Sequence, residues 1–128
     1  GDAAAQVKPT SGGGIYPGLL CATHCSMIAE DAFQKQRLDD EFLRRYHATW
    51  TKEIGRELTL GMRFRRIFNN LTDRQFNKYI EKLQKQKIID IINTYGDIDY
   101  PSRLALPLLR TTPSLLSLAP ALLKRVKQ

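Results

Sequence analysis

The chain has 128 residues, 42% of them hydrophobic and 26% charged, with a formal charge of +7 and a pI near 9.7. That is enough for one domain with its own core and is an ordinary globular composition. Valine occurs only at Val7 and Val126, which argues against a sheet, and no apolar run reaches the roughly 18 residues of a membrane-spanning helix.

In chain order, residues 1–14 read as a loop entered from a strand that lies outside this sequence. Pro17 and Gly18 open a helix carrying Leu19, Leu20, Ala22, Ile28, Ala29 and Phe33, to about Gln34. Its small residues suit close packing against another domain. Asp39, Asp40 and Glu41 favour the start of a second helix through the macrodipole. Phe42, Leu43, Tyr46, Trp50, Ile54 and Leu58 recur along it at helical spacing. Gly55 and Gly61 weaken the middle of this segment, and a bend or break is expected near Gly61, after which Met62, Phe64, Ile67, Phe68 and Leu71 continue the pattern.

Thr72 and Gln75 have capping-box spacing, followed by Phe76, Tyr79, Ile80 and Leu83 at i, i+3, i+4 and i+7, so the spacing predicts a helix over 72–86. Ile88 to Ile92 reads as a short helical stretch and Asp97 to Pro101 as a loop. Ser102–Arg110 and Pro113–Lys127 read as two last helices, shortened or kinked at Pro107 and Pro120.

The first sixteen residues carry the most specific signal. A glycine and an acid (Gly1, Asp2) precede three alanines. Ten residues beyond Asp2 begins the run Gly12-Gly13-Gly14, which leads into the first helix. The acid can accept from a hydroxyl, small residues admit close backbone approach, and a helix start offers N–H groups to an electron-rich edge. The wording Gly-Asp-Ala-Ala…Val-Lys-Pro-Thr-Ser-Gly-Gly-Gly-Ile-Tyr resembles the second FAD fingerprint of hydroxylase-type flavoproteins. It is most similar to the geranylgeranyl reductase family, kin to FixC-type electron-transfer flavoproteins.

That resemblance implies a mainly α chain, the helical C-terminal part of an FAD-binding oxidoreductase without its Rossmann-like N-terminal portion. No Gly-x-Gly-x-x-Gly follows a strand here. The implied organisation is a flavin-binding loop over 1–16, a helix over 17–36 packed on the FAD domain, and a C-terminal helical domain over 37–128. Asp2 would hold a ribityl hydroxyl of FAD. N–H groups around Gly13, Gly14 and Ile15 would face the N1–C2=O edge of the ring, with Pro9 bordering it. Gly1, Ala3 and Gly12 complete the cofactor-binding set, and no catalytic side chain and no metal ligand is assigned.

Other residues carry two readings. Cys21, His24 and Cys25 have helical spacing but lack a second ligand pair for a metal, and a small buried face is the simpler use of both cysteines. Two cysteines four apart in one helix suit a reduced protein better than a disulfide. Phe42, Tyr46 and Trp50 form a core stripe or a wall around a polyprenyl chain. Arg44, Arg45, Arg63, Arg65 and Arg66 are a solvated basic face or a phosphate site, and nucleic acid is not expected. The leucine-rich tail with Lys124, Arg125 and Lys127 is an ordinary last helix or one lying on anionic lipid.

The function implied is reduction of isoprenoid carbon–carbon double bonds in membrane-lipid biosynthesis by the longer parent, using FAD, a prenyl lipid and an electron donor. The parent would be cytoplasmic, with room for peripheral membrane contact. The chain alone is expected to be inactive, to hold no FAD, and to pair as a homodimer through the first helix. The competing reading is a non-catalytic basic helical module on membrane or nucleic acid.

Overall fold

The structure, a computed structural model, describes residues 1–113 and is helical with no strand among them. A 3-10 turn at Asp2–Ala4 precedes α1 (Ile15–Gln34), α2 (Asp40–Trp50), a π-helical turn at Thr51–Gly55, α3 (Arg56–Asn69), α4 (Asp73–Leu83), α5 (Gln86–Tyr95) and α6 (Ser102–Thr111). Two compact units result, Gly1–Thr59 and Leu60–Gln128, the division falling within α3. The helix expected over Pro113–Lys127, with its kink at Pro120, lies from Ser114 onward outside the described residues.

In the first unit α1 packs on α2. Cys21, Trp50, Ile54 and Leu58 form the buried cluster, with Tyr16, Leu20 and Tyr46 against it. Ile54 is 1% exposed. Asp39 starts α2 as expected: its Oδ1 accepts from the Phe42 N–H at 2.9 Å, and Arg37 Nε donates to Oδ2 at 3.0 Å. Arg37 and that backbone N–H hold the Asp39 carboxyl below its ordinary range.

Three sequence expectations need correction in this unit. The first helix begins at Ile15 rather than Pro17, which occupies its third position and is buried. Proline is tolerated there because a first-turn N–H has no partner inside the helix. Cys25 is exposed while Cys21 is buried, since four residues overshoot a full turn and rotate Cys25 off the inner face. Burial raises the Cys21 thiol above its ordinary value. The expected bend at Gly61 is absent, and α3 runs through it. The irregularity is instead the π turn ending at Gly55.

That turn has a packing cause. Trp50, Ile54 and Leu58 are spaced four apart, and in a regular helix each such step drifts around the axis. The wider turn takes back part of that rotation, so all three reach one core.

The second unit is built more locally. Thr72 and Gln75 form the expected capping box, with Gln75 N–H donating to Thr72 Oγ1 at 3.3 Å and Thr72 N–H to Gln75 Oε1 at 3.0 Å. The helix ends at Leu83, three residues before the expected limit, because a separate helix starts at Gln86. α5 packs on α6 and buries Ile88. At the end of α5 the Gly96 N–H returns to the Ile92 carbonyl at 2.7 Å. A Cβ on Gly96 would stand inside the van der Waals shell of that carbonyl oxygen. Asp97 Oδ1 then accepts from the N–H groups of Asp99 (2.8 Å) and Tyr100 (3.0 Å), and its Oδ2 from Arg103 at 2.7 Å. Pro107 lies inside α6 without ending it.

Candidate functional site

The opening motif folds back on itself. Gly12 adopts φ +72°, a left-handed conformation that glycine enters at no steric cost. The turn over residues 9–11 is closed by the Gly12 N–H donating to the Lys8 carbonyl at 2.9 Å, and the Lys8 N–H donates to the Gly13 carbonyl at 3.1 Å. Pro9 therefore sits at the tip of this turn. Gly1 and Ala3 flank Asp2 at the start of the loop, which holds the 3-10 turn.

Closure brings the two ends of the motif together. A Cβ placed on Gly14 would lie 3.8 Å from Asp2 Oδ1 and 3.7 Å from Val7 Cγ2, and one on Gly13 would lie 2.8 Å from Lys8 Cε. Gly14 is the N-cap of α1, which has no side-chain cap hydrogen bond, and Ile15 at its first position is 82% exposed. Gly13 N–H reaches Ser11 Oγ only at 3.4 Å. One carboxylate thus stands beside an uncapped helix start whose N–H groups and dipole favour negative charge. Such an arrangement can hold a hydroxyl on one side and an electron-rich carbonyl edge on the other.

The loop is anchored by a residue that the sequence pattern did not single out. Gln6 is 3% exposed. Its Oε1 accepts from the Gly1 backbone nitrogen at 2.8 Å, and its Nε2 donates to Tyr46 Oη at 2.7 Å. A buried amide must find partners. These lie five and forty residues away, so no local periodicity could have shown them. Tyr46 consequently ties α2 to the loop, while Phe42 and Trp50 of the same stripe are buried.

The other candidates separate. His24 Nε2 meets Glu53 Oε2 at 2.6 Å, joining α1 to the π turn. Among the described residues no group of three or more His, Cys, Asp and Glu side chains is placed to hold a metal. Arg45 donates to Asp31 at 2.6 Å and lies 4.5 Å over the Phe42 ring, so packing and pairing already use it. Arg63 Nε is buried with no hydrogen-bond partner. No described helix is long and apolar enough to cross a membrane.

Sequence comparison places the chain among longer proteins. It is 38% identical over 112 residues to an uncharacterised protein of Methanocaldococcus jannaschii, covering 87% of this chain and 28% of that protein. It is 36% identical over 107 residues to digeranylgeranylglycerophospholipid reductase 2 of Methanothermobacter thermautotrophicus, covering 81% and 28%. With the enzyme of the same name from Methanopyrus kandleri it shares 28% over 124 residues, covering 97% and 30%. The chain therefore spans less than a third of the length of these relatives. No protein-family model and no solved structure matches it.

Proposed function

This chain belongs to the geranylgeranyl reductase family, and on that premise we propose that it is the C-terminal part of an FAD-dependent oxidoreductase acting on a geranylgeranylated glycerophospholipid. The observation that carries the cofactor side of this reading is the approach of Asp2 to the uncapped start of α1. The names of the relatives support the substrate class.

Bound FAD supplies two-electron reduction of an isoprenoid carbon–carbon double bond. This chain's residues position it. Asp2 would accept a hydrogen bond from a ribityl hydroxyl, a charge-assisted and so strong one. The N–H groups of Gly14 and Ile15, backed by the dipole of α1, would hold the electron-rich ring edge, with the turn at Pro9 beside the ring. Gln6 and Tyr46 keep the loop closed so that both contacts are formed together. No side chain of this chain is assigned a proton-transfer role.

The test uses the longer enzyme that contains this chain. Asp2→Ala deletes a charge-assisted hydrogen bond, so FAD binding should weaken about tenfold or more. Fluorescence titration of the flavin measures it, and an unchanged dissociation constant overturns the role of Asp2. Reduction of a digeranylgeranyl glycerophospholipid, read as mass gained per double bond, tests the substrate class separately.

A further inference from the structure

The second unit contains a cavity of about 400 Å³ formed where the end of α4, the start of α5 and the end of α6 converge. Its lining includes Lys82, Lys85, Lys87, Ile88, Thr111 and Thr112, and no carboxylate among the described residues. Ile88 is 2% exposed and gives the cavity an apolar wall, beside which a charge interaction is screened less than in open water. We propose that this cavity binds a phosphate group, taken from a phospholipid head group or from free phosphate.

The electrostatics of α5 point the same way. Helix starts favour negative charge because the macrodipole is positive there. α5 does the reverse. Lys85 is its N-cap, Lys87 its second residue, and its first turn holds no acid. Lys85 makes no side-chain cap hydrogen bond. The Ile88 and Ile89 N–H groups both return to the Lys85 carbonyl, while those of Gln86 and Lys87 belong to the unpaired first turn. An anion in the cavity would relieve this conflict, since it would lie beside the positive end of the dipole and among the lysines of the lining.

The remaining side chains fit that role. Lys82, from the last turn of α4, lies 5.9 Å from the Tyr79 ring and holds one side. Thr111 Oγ1 already donates to the Pro107 carbonyl at 3.1 Å, and Thr112, the C-cap of α6, brings a second hydroxyl to the lining. A local break with helix-charge rules, beside a cavity able to satisfy it, is characteristic of a functional site rather than a packing one. The volume lies at the small end of ligand pockets, matching a phosphate with a short organic substituent. The inference does not depend on the flavin reading.

The experiment titrates the whole chain with inorganic phosphate at constant ionic strength, following amide NMR shifts. Saturable shifts are expected at Gln86, Lys87, Ile88 and Thr112. The double change Lys85→Gln with Lys87→Gln should weaken binding about tenfold. Arg74→Gln with Lys78→Gln, which removes the same charge from α4, should leave it unchanged. Thr112→Val keeps every charge and should also weaken binding. Absence of saturable shifts, or equal weakening by both double changes, overturns the site. Sedimentation with phosphatidylglycerol vesicles separates the sources. Vesicle binding weakened by the Lys85/Lys87 change assigns a lipid head group, and phosphate binding with vesicle binding unchanged assigns free phosphate.

Discussion

The two units hold themselves together in different ways. In Gly1–Thr59, residues distant in sequence meet: Cys21 of α1 packs with Trp50, Ile54 and Leu58, and Gln6 bonds Tyr46 across forty residues. In the second unit the described interactions are mostly local: the Thr72–Gln75 box, the Asp97 loop and the α5–α6 pair around Ile88. Shared burial makes the first unit's residues interdependent. The second unit's devices each fix a few residues at a time.

The largest expected consequence falls on matched isoleucines. Ile54→Ala opens a cavity inside a cluster already fixed by Trp50 and should cost about 4 kcal/mol, whereas Ile88→Ala, between two helices with half-exposed neighbours, should cost about 2 kcal/mol. Urea unfolding measures both, and Trp50, the single tryptophan, reports the first unit alone. Equal costs would break the comparison. Gly96→Ala comes next. The new methyl group collides with the Ile92 carbonyl, so the turn into Asp97 must shift, at about 1–3 kcal/mol. A neutral result would show that the turn has slack.

Thr72→Ala should cost on the order of 1 kcal/mol, because only the cap is lost. Thermal unfolding followed by circular dichroism checks it. This helix also shows what the sequence could and could not convey. Phe76, Tyr79, Ile80 and Leu83 make a strong apolar stripe, and the helix forms with its capping box as that pattern implies. Yet none of its residues is buried, and Phe76 is 43% exposed. Periodicity reports which face is apolar. It does not report what covers that face.

The reverse holds in α1 and its surroundings. The glycine run and Asp2 were legible because their spacing is local, and the structure brings Asp2 beside Gly14. The anchor through Gln6 was illegible because both ends look unremarkable until the fold pairs them. The π turn was half legible. Gly55 and Gly61 both weaken the segment by propensity, and the irregularity falls at Thr51–Gly55, where Trp50, Ile54 and Leu58 share one core, rather than near Gly61. The lysines around α5 carry no local motif, and the cavity they line exists only once α5 and α6 pack together.

The smallest expected effect separates the units by the origin of one carboxylate's acidity in each. Asp31 is held below its ordinary range first by a hydrogen bond from Lys35 and then by one from Arg45, whose ion pairs measure 2.7 and 2.6 Å. Asp97 is lowered first by the backbone N–H of Asp99, with Tyr100 and Arg103 adding to it. Both groups bind protons more weakly folded than unfolded. Each therefore stabilises the fold above the unfolded carboxylate value near 4, and that contribution is lost as pH falls through the folded value. Salt should distinguish them. Exposed side-chain charges are screened as the Debye length shrinks from about 10 Å at 0.1 M to about 3 Å at 1 M, whereas a fixed backbone donor is part of the loop itself. Carboxylate NMR titrations at low and high salt should show Asp31 moving back toward its ordinary value and Asp97 moving much less. Equal movement of both would mean that Arg103, rather than the turn at Asp99 and Tyr100, governs Asp97.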